Sequence, residues 1–153
     1  MHFPLRLALR PSLLLATALA LVVTLLPAQP ADAATQRITK GFFGMTDLNP
    51  ESWPGAPIGG LRLWDSGVTW RQIETSRGVF DFSRLDGQVS QSRSHGARPL
   101  IVLGQTPRFH AQRPGLKGFY GEGANSMPTL TAWKTYVTKV VRRYGARADY
   151  QVW

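Results

Sequence analysis

The sequence predicts an α/β fold built on parallel strands, and three of its patterns carry that expectation. Arg98 to Gly104, RPLIVLG, is an unbroken apolar run without alternation, as in a parallel strand covered on both faces. Further on, Leu130, Trp133, Val137, Val140, Val141 and Tyr144 recur at threes and fours and draw one apolar stripe along a long helix. The order of elements is strand, loop, strand, helix, strand, helix, strand, with connections long enough for parallel crossovers.

The first segment stands apart from that domain. Arg6 and Arg10 precede an uncharged apolar run from Leu13 to Leu26, and Ala31-Asp32-Ala33 gives a small-x-small site before Ala34. This pattern predicts a cleaved signal peptide over residues 1–33 and a secreted, extracellular protein. Pro27, Gln29 and Pro30 end the run short of the roughly 20 residues that a membrane span requires, so no stable membrane association is expected after cleavage. Residues 34–40 read as a short polar leader. Residues 41–153 read as one domain without internal repeats.

Within it, GFFGM (Gly41 to Met45) suggests a first strand. The following DLNPESWPGAPIGG carries three prolines and three glycines and has room for about one helical turn, opened by Asn49. LRLW (Leu61 to Trp64) alternates, with both leucines on one face and Arg62 and Trp64 on the other. From Ser83 the period becomes helical: Ser83 and Asp86 form a capping-box-like pair, Leu85 and Val89 share a face, and Gly96 closes the helix. In the long helix Pro128 suits the first turn, Arg142 and Arg143 complement the dipole in the last, and Gly145 ends it. Tyr150 to Trp153, YQVW, reads as a fourth strand.

The 153 residues include 18 Lys and Arg against nine Asp and Glu, a formal charge of +9. Removing residues 1–33 takes away two of the basic and one of the acidic residues and leaves the remainder strongly basic. That balance favours an acidic partner such as an anionic cell-wall polymer. Nucleic acid is not expected as a partner, because the basic residues form no run longer than Arg142-Arg143. With no cysteine, the chain has neither a disulfide framework nor a thiolate nucleophile or metal site. No metal-ligand cluster and no nucleotide fingerprint stands out, so no cofactor is expected.

In an α/β sheet, ligands sit beyond the carboxyl ends of the strands. There the sequence places Arg62, Trp64, Asp65 and Trp70 after the second strand, and Gln105, Thr106, Phe109 and His110 after the third. Aromatic rings with amides and carboxylates suit sugars, whose apolar ring faces stack while their hydroxyls hydrogen-bond. Each residue has a structural alternative. Arg62 would serve equally in an ion pair, the two tryptophans in the core and Asp65 as a turn cap; Glu74 reads as solvated or paired with an arginine. His110 reads as a surface residue, His95 as a helix C-terminal cap, and Gly118 to Ser126, GFYGEGANS, as a mobile loop.

LRLWDSGVTWRQIETSRGVFDFSRLD together with LIVLGQTPRFH resembles the N-terminal half of the (β/α)8 glycoside hydrolases of the large retaining clan. The style is that of the cellulase-like and family 39 xylosidase- and iduronidase-like members. Arg62, Trp64, Asp65, Trp70, Ile73-Glu74, Gly78, Phe80-Asp81-Phe82, Leu85-Asp86 and Thr106-Pro107 carry the resemblance, which spans Gly41 to Trp153. It implies a half TIM barrel of four parallel strands with intervening helices; a whole barrel takes about 250 residues.

The resemblance also implies carbohydrate hydrolysis by two glutamates held about 5–5.5 Å apart, one the acid/base and the other the nucleophile. Both would follow Trp153, so no catalytic residue is expected within the chain, which would be a fragment inactive alone. The resemblance carries over Arg62 as a residue beside the nucleophile. It also implies that Trp64, Asp65, Trp70, Thr106, Phe109 and Trp153 line the substrate site, although Phe109-His110 departs from the family's usual aromatic–alanine. Two other readings are a non-catalytic carbohydrate-binding protein and a basic cell-wall-associated protein.

Overall fold

The strands pair as the sequence predicts. In a computed structural model describing residues 38–46 and 52–153, β1 (Gly44–Thr46), β2 (Gly60–Leu63), β5 (Arg98–Leu103) and β6 (Asp149–Val152) form one parallel sheet in the order β1-β2-β5-β6. Met45 lies opposite Leu61, Arg62 opposite Leu100, and Leu100 opposite Asp149. The protein is thus mixed α/β with a four-stranded parallel sheet. The signal peptide expected over 1–33 and the helical turn at Asn49 lie outside the described residues.

Alternation along each strand separates two faces. Leu61, Leu63, Ile101 and Leu103 point to one side and join the core, with Tyr150 packed at its margin. Covering them are Leu85 and Val89 of α2 (Ser83–Ser94) and Tyr136, Val140 and Tyr144 of α3 (Leu130–Tyr144). The other side carries Arg62, Leu100 and Gln151, half-buried, and Asp149, exposed. There Arg62 Nε donates to Gln151 Oε1 at 2.9 Å and Arg98 Nε to Asp149 Oδ2 at 2.7 Å. The expectation that Arg98 to Gly104 is covered on both faces is corrected, because both long helices pack on one side. Val102 is nonetheless buried on the second face.

Three local expectations shift. Lys40–Phe42 form a 3-10 turn, so the first strand begins only at Gly44. Ser83 and Asp86 make no capping box: the Ser83 amide donates to Asp81 Oδ1, and Asp86 reaches across to Arg143 and Tyr144 of α3. The α3 stripe is rotated so that Tyr136 sits in the core while Leu130 and Val141 are exposed. Gly96, at φ +67°, and Gly145, at φ +52°, stand where the two helices end.

One element is new. α1 (Trp70–Ile73) runs directly into a hairpin of β3 (Glu74–Ser76) and β4 (Val79–Phe80), turned by Gly78 at φ +82°. Strands this short leave no period in the sequence to detect.

Candidate functional site

Beyond the carboxyl ends of β2, β5 and β6 the chain gathers an aromatic cluster. Trp64 forms its floor, 5% exposed, with its ring 4.7 Å from Trp153 and 5.5 Å from Tyr120. Trp64 Nε1 donates to the Tyr120 hydroxyl at 3.0 Å, and that hydroxyl donates to Asp65 Oδ2 at 3.3 Å. The Arg62 guanidinium lies 5.6 Å from the Trp64 ring centroid. Gly104 permits the packing, because a Cβ there would meet Trp64 ring atoms and the Trp153 carbonyl at 3.3 Å. Trp153 extends the ladder, its amide donating to the Leu103 carbonyl at 3.0 Å, and the residue is 57% exposed.

The backbone is unusual at the same place. Asp65 (φ +58°) and Gln105 (φ +61°) are the non-glycine residues with left-handed backbone among the described residues. Each lies two positions past a strand, β2 or β5. Aspartate tolerates this conformation, but glutamine adopts it at a cost, and such strain concentrates where a chain must present side chains or backbone to a ligand.

Four of the seven residues expected at a substrate site therefore meet: Arg62, Trp64, Asp65 and Trp153. The other three lie outside that cluster. Trp70 is fully buried, stacked on Tyr136 at 4.6 Å, and offers a ligand no surface. Thr106 is buried and pins the following loop, its hydroxyl donating to the Ser126 carbonyl at 2.8 Å. Phe109 lies on the flank, under the Arg77 guanidinium at 5.7 Å.

That flank holds a polar network where the sequence suggests only solvated groups. Glu74 is 2% exposed, and its carboxylate accepts from Trp70 Nε1 at 2.6 Å, from the Gly78 amide at 2.8 Å and from His110 Nε2 at 2.9 Å. Arg77 Nη1 lies 3.3 Å from His110 Nδ1, on the other edge of the ring. Glu74 is therefore neither solvated nor arginine-paired, and the His110 side chain, 10% exposed, is not a surface residue. His95 does meet the last turn of α2, with Nδ1 3.0 Å from the Gln91 carbonyl, and stacks on Trp53 at 4.4 Å.

The principal residue missed at the strand-end cluster is Tyr120. The glycine-rich loop that carries it is folded down, with Gly121 at φ +94° under Arg71 and Gly123 donating to the Leu116 carbonyl. An aromatic pair inside a glycine-rich segment, Phe119-Tyr120, was the available signal. Beside the cluster, between the end of β6 and the start of α3, lies an open cleft of about 770 Å³ walled in part by Gln105, Asn125, Trp133 and Trp153.

The arrangement can stack a flat apolar face on Trp153 and offer the Asp65 carboxylate to a hydroxyl. Among the described residues no three His, Cys, Asp or Glu side chains gather to hold a metal, and no helix is long and apolar enough to cross a membrane.

No family model matches the chain, and no curated protein does. A solved structure of a family 39 glycoside hydrolase from the gut symbiont Bacteroides cellulosilyticus is similar to it, with a TM-score of 0.47 and 21% identity. The match covers 63% of this chain and 19% of that one.

Proposed function

We propose that residues 41–153 are part of a secreted (β/α)8 glycoside hydrolase and supply the sugar-binding ends of its first four strands. The observation that carries the reading is the convergence of Trp64, Tyr120 and Trp153 with Asp65 and Arg62 at the carboxyl ends of three adjacent parallel strands. An exposed tryptophan beside a carboxylate and a guanidinium is the chemistry that a pyranoside recruits.

In this reading Trp153 stacks on the sugar ring and Asp65 accepts from a ring hydroxyl. Arg62, held through Nε by Gln151, would offer its remaining donors to a carboxylate at the strand ends. Retaining hydrolysis then needs two glutamates about 5–5.5 Å apart. The proposal assigns both to sequence following Trp153. The charge of +9 adds a salt-screened attraction for anionic cell-wall polymer without selecting the sugar.

The test is turnover of a panel of aryl glycosides by the 153-residue chain and by a chain continued to a full barrel. The short chain should release no aryl alcohol and the continued chain should. Turnover by the short chain would overturn the assignment of the catalytic groups.

A further inference from the structure

We propose that the cleft beside Trp153 is a subsite for an uncharged sugar ring and rejects uronic acids and other anionic sugars. The inference rests on the carbohydrate reading above and adds to it a substrate class. Two independent observations carry it.

The first is charge. The protein has a formal charge of +9, yet no Lys, Arg, Asp or Glu lines this cleft. Its polar groups include the Gln105 and Asn125 amides and the Thr106 hydroxyl, and its apolar walls include Trp133, Met127 and Trp153. A carboxylate-bearing sugar would have to shed its water against these walls without meeting a cation, which is strongly unfavourable. A neutral ring brings apolar C–H faces to the tryptophans and hydroxyls to the amides. The volume of about 770 Å³ lies within the range of small-molecule clefts.

The second is an unfilled hydrogen bond. Gln105 lines the cleft and is 5% exposed. Thr69 has one hydroxyl proton and two amide oxygens within reach, Gln72 Oε1 at 2.6 Å and Gln105 Oε1 at 3.0 Å. If the proton goes to Gln105, that residue's amide nitrogen has no partner among the described residues. If it goes to Gln72, the Gln105 amide turns its nitrogen to the Thr69 oxygen and its own oxygen is left over. Either way one polar atom of the Gln105 amide makes no hydrogen bond to the described residues and is free to meet a ligand in the cleft. A sugar hydroxyl both donates and accepts, so it satisfies either orientation.

The experiment is calorimetric titration of the folded 153-residue chain with neutral tetrasaccharides of glucose, xylose and mannose and with tetragalacturonate, at low and high salt. At least one neutral sugar should bind about tenfold or more tightly than the uronate, a gap of about 1.4 kcal/mol, with little salt dependence. Trp153→Ala and Asn125→Ala, both at exposed positions, should each weaken that binding several-fold. Gln105→Glu keeps the shape and the Thr69 contact and should widen the discrimination against the uronate.

Uronate binding equal to or tighter than every neutral sugar would overturn the inference and leave the carbohydrate reading standing. So would neutral-sugar binding indifferent to all three substitutions. Binding of neither class would overturn both.

Discussion

Removing the Glu74 carboxylate tests how the strand-end loops are held in place. Three donors converge on it, and they differ in what happens when it is lost. The Gly78 amide is at the surface, where water replaces the carboxylate at little cost. The Trp70 indole is fully buried, so its N–H would be left unpaired at about 1–3 kcal/mol. His110 is almost buried and would lose its orienting partner, at about 1 kcal/mol. Glu74→Leu should therefore cost about 2–4 kcal/mol, a large share of the roughly 5–15 kcal/mol that a domain has in total. Glu74→Gln should cost less, because its oxygen still accepts one bond while its NH2 faces a donor. Urea unfolding at neutral pH, followed by far-ultraviolet circular dichroism and tryptophan fluorescence, measures both. If Glu74→Leu came within about 0.5 kcal/mol of the wild type, the buried carboxylate would not be the anchor of this flank.

Two further outcomes follow from buried or paired groups. Tyr136 is fully buried with no partner for its hydroxyl among the described residues, and burial pushes its phenol well above the usual range. Tyr136→Phe should therefore be neutral or stabilise by about 1 kcal/mol; a clear fall in melting temperature would show that the hydroxyl is satisfied after all. Asp86 is held below the usual carboxylate range, first by its hydrogen bonds from Arg143 and also by the Tyr144 hydroxyl. Its folded pKa lies below its unfolded one, so its contribution is complete above the unfolded value and lost as pH falls through the folded one. The stability gap between wild type and Asp86→Asn, about 1 kcal/mol or less for so exposed a pair, should close in acid and not in base. A gap unchanged at low pH would contradict the pairing.

What was legible in the sequence was whatever repeats along it. The apolar run at 98–103 and the stripes of α2 and α3 recur at fixed intervals, so burial on one side of an element leaves a readable period. The faces were less legible. RPLIVL is apolar at every position from Pro99, and nothing local distinguishes Ile101 and Leu103, which face the helices, from Leu100, which does not. The same limit explains α3: Tyr136 and Val137 adjoin, both are bulky, and which enters the core depends on the Trp70 ring that stacks on Tyr136 from 66 positions earlier.

The candidate site divides along the same line. Arg62, Trp64 and Asp65 were found because they are consecutive with a recognisable strand end, a relation that sequence preserves. Glu74 and His110 were misplaced because each looks polar and therefore solvated until the other is brought 2.9 Å away by the chain between them. Two groups that would each be costly to bury alone are tolerable together, since the carboxylate fills its acceptor sites with donors that need an acceptor. Burial of a polar residue is thus a property of the pair rather than of the residue. The same holds at the strand ends, where Trp64 is a floor only because Tyr120 closes over it and satisfies its indole nitrogen.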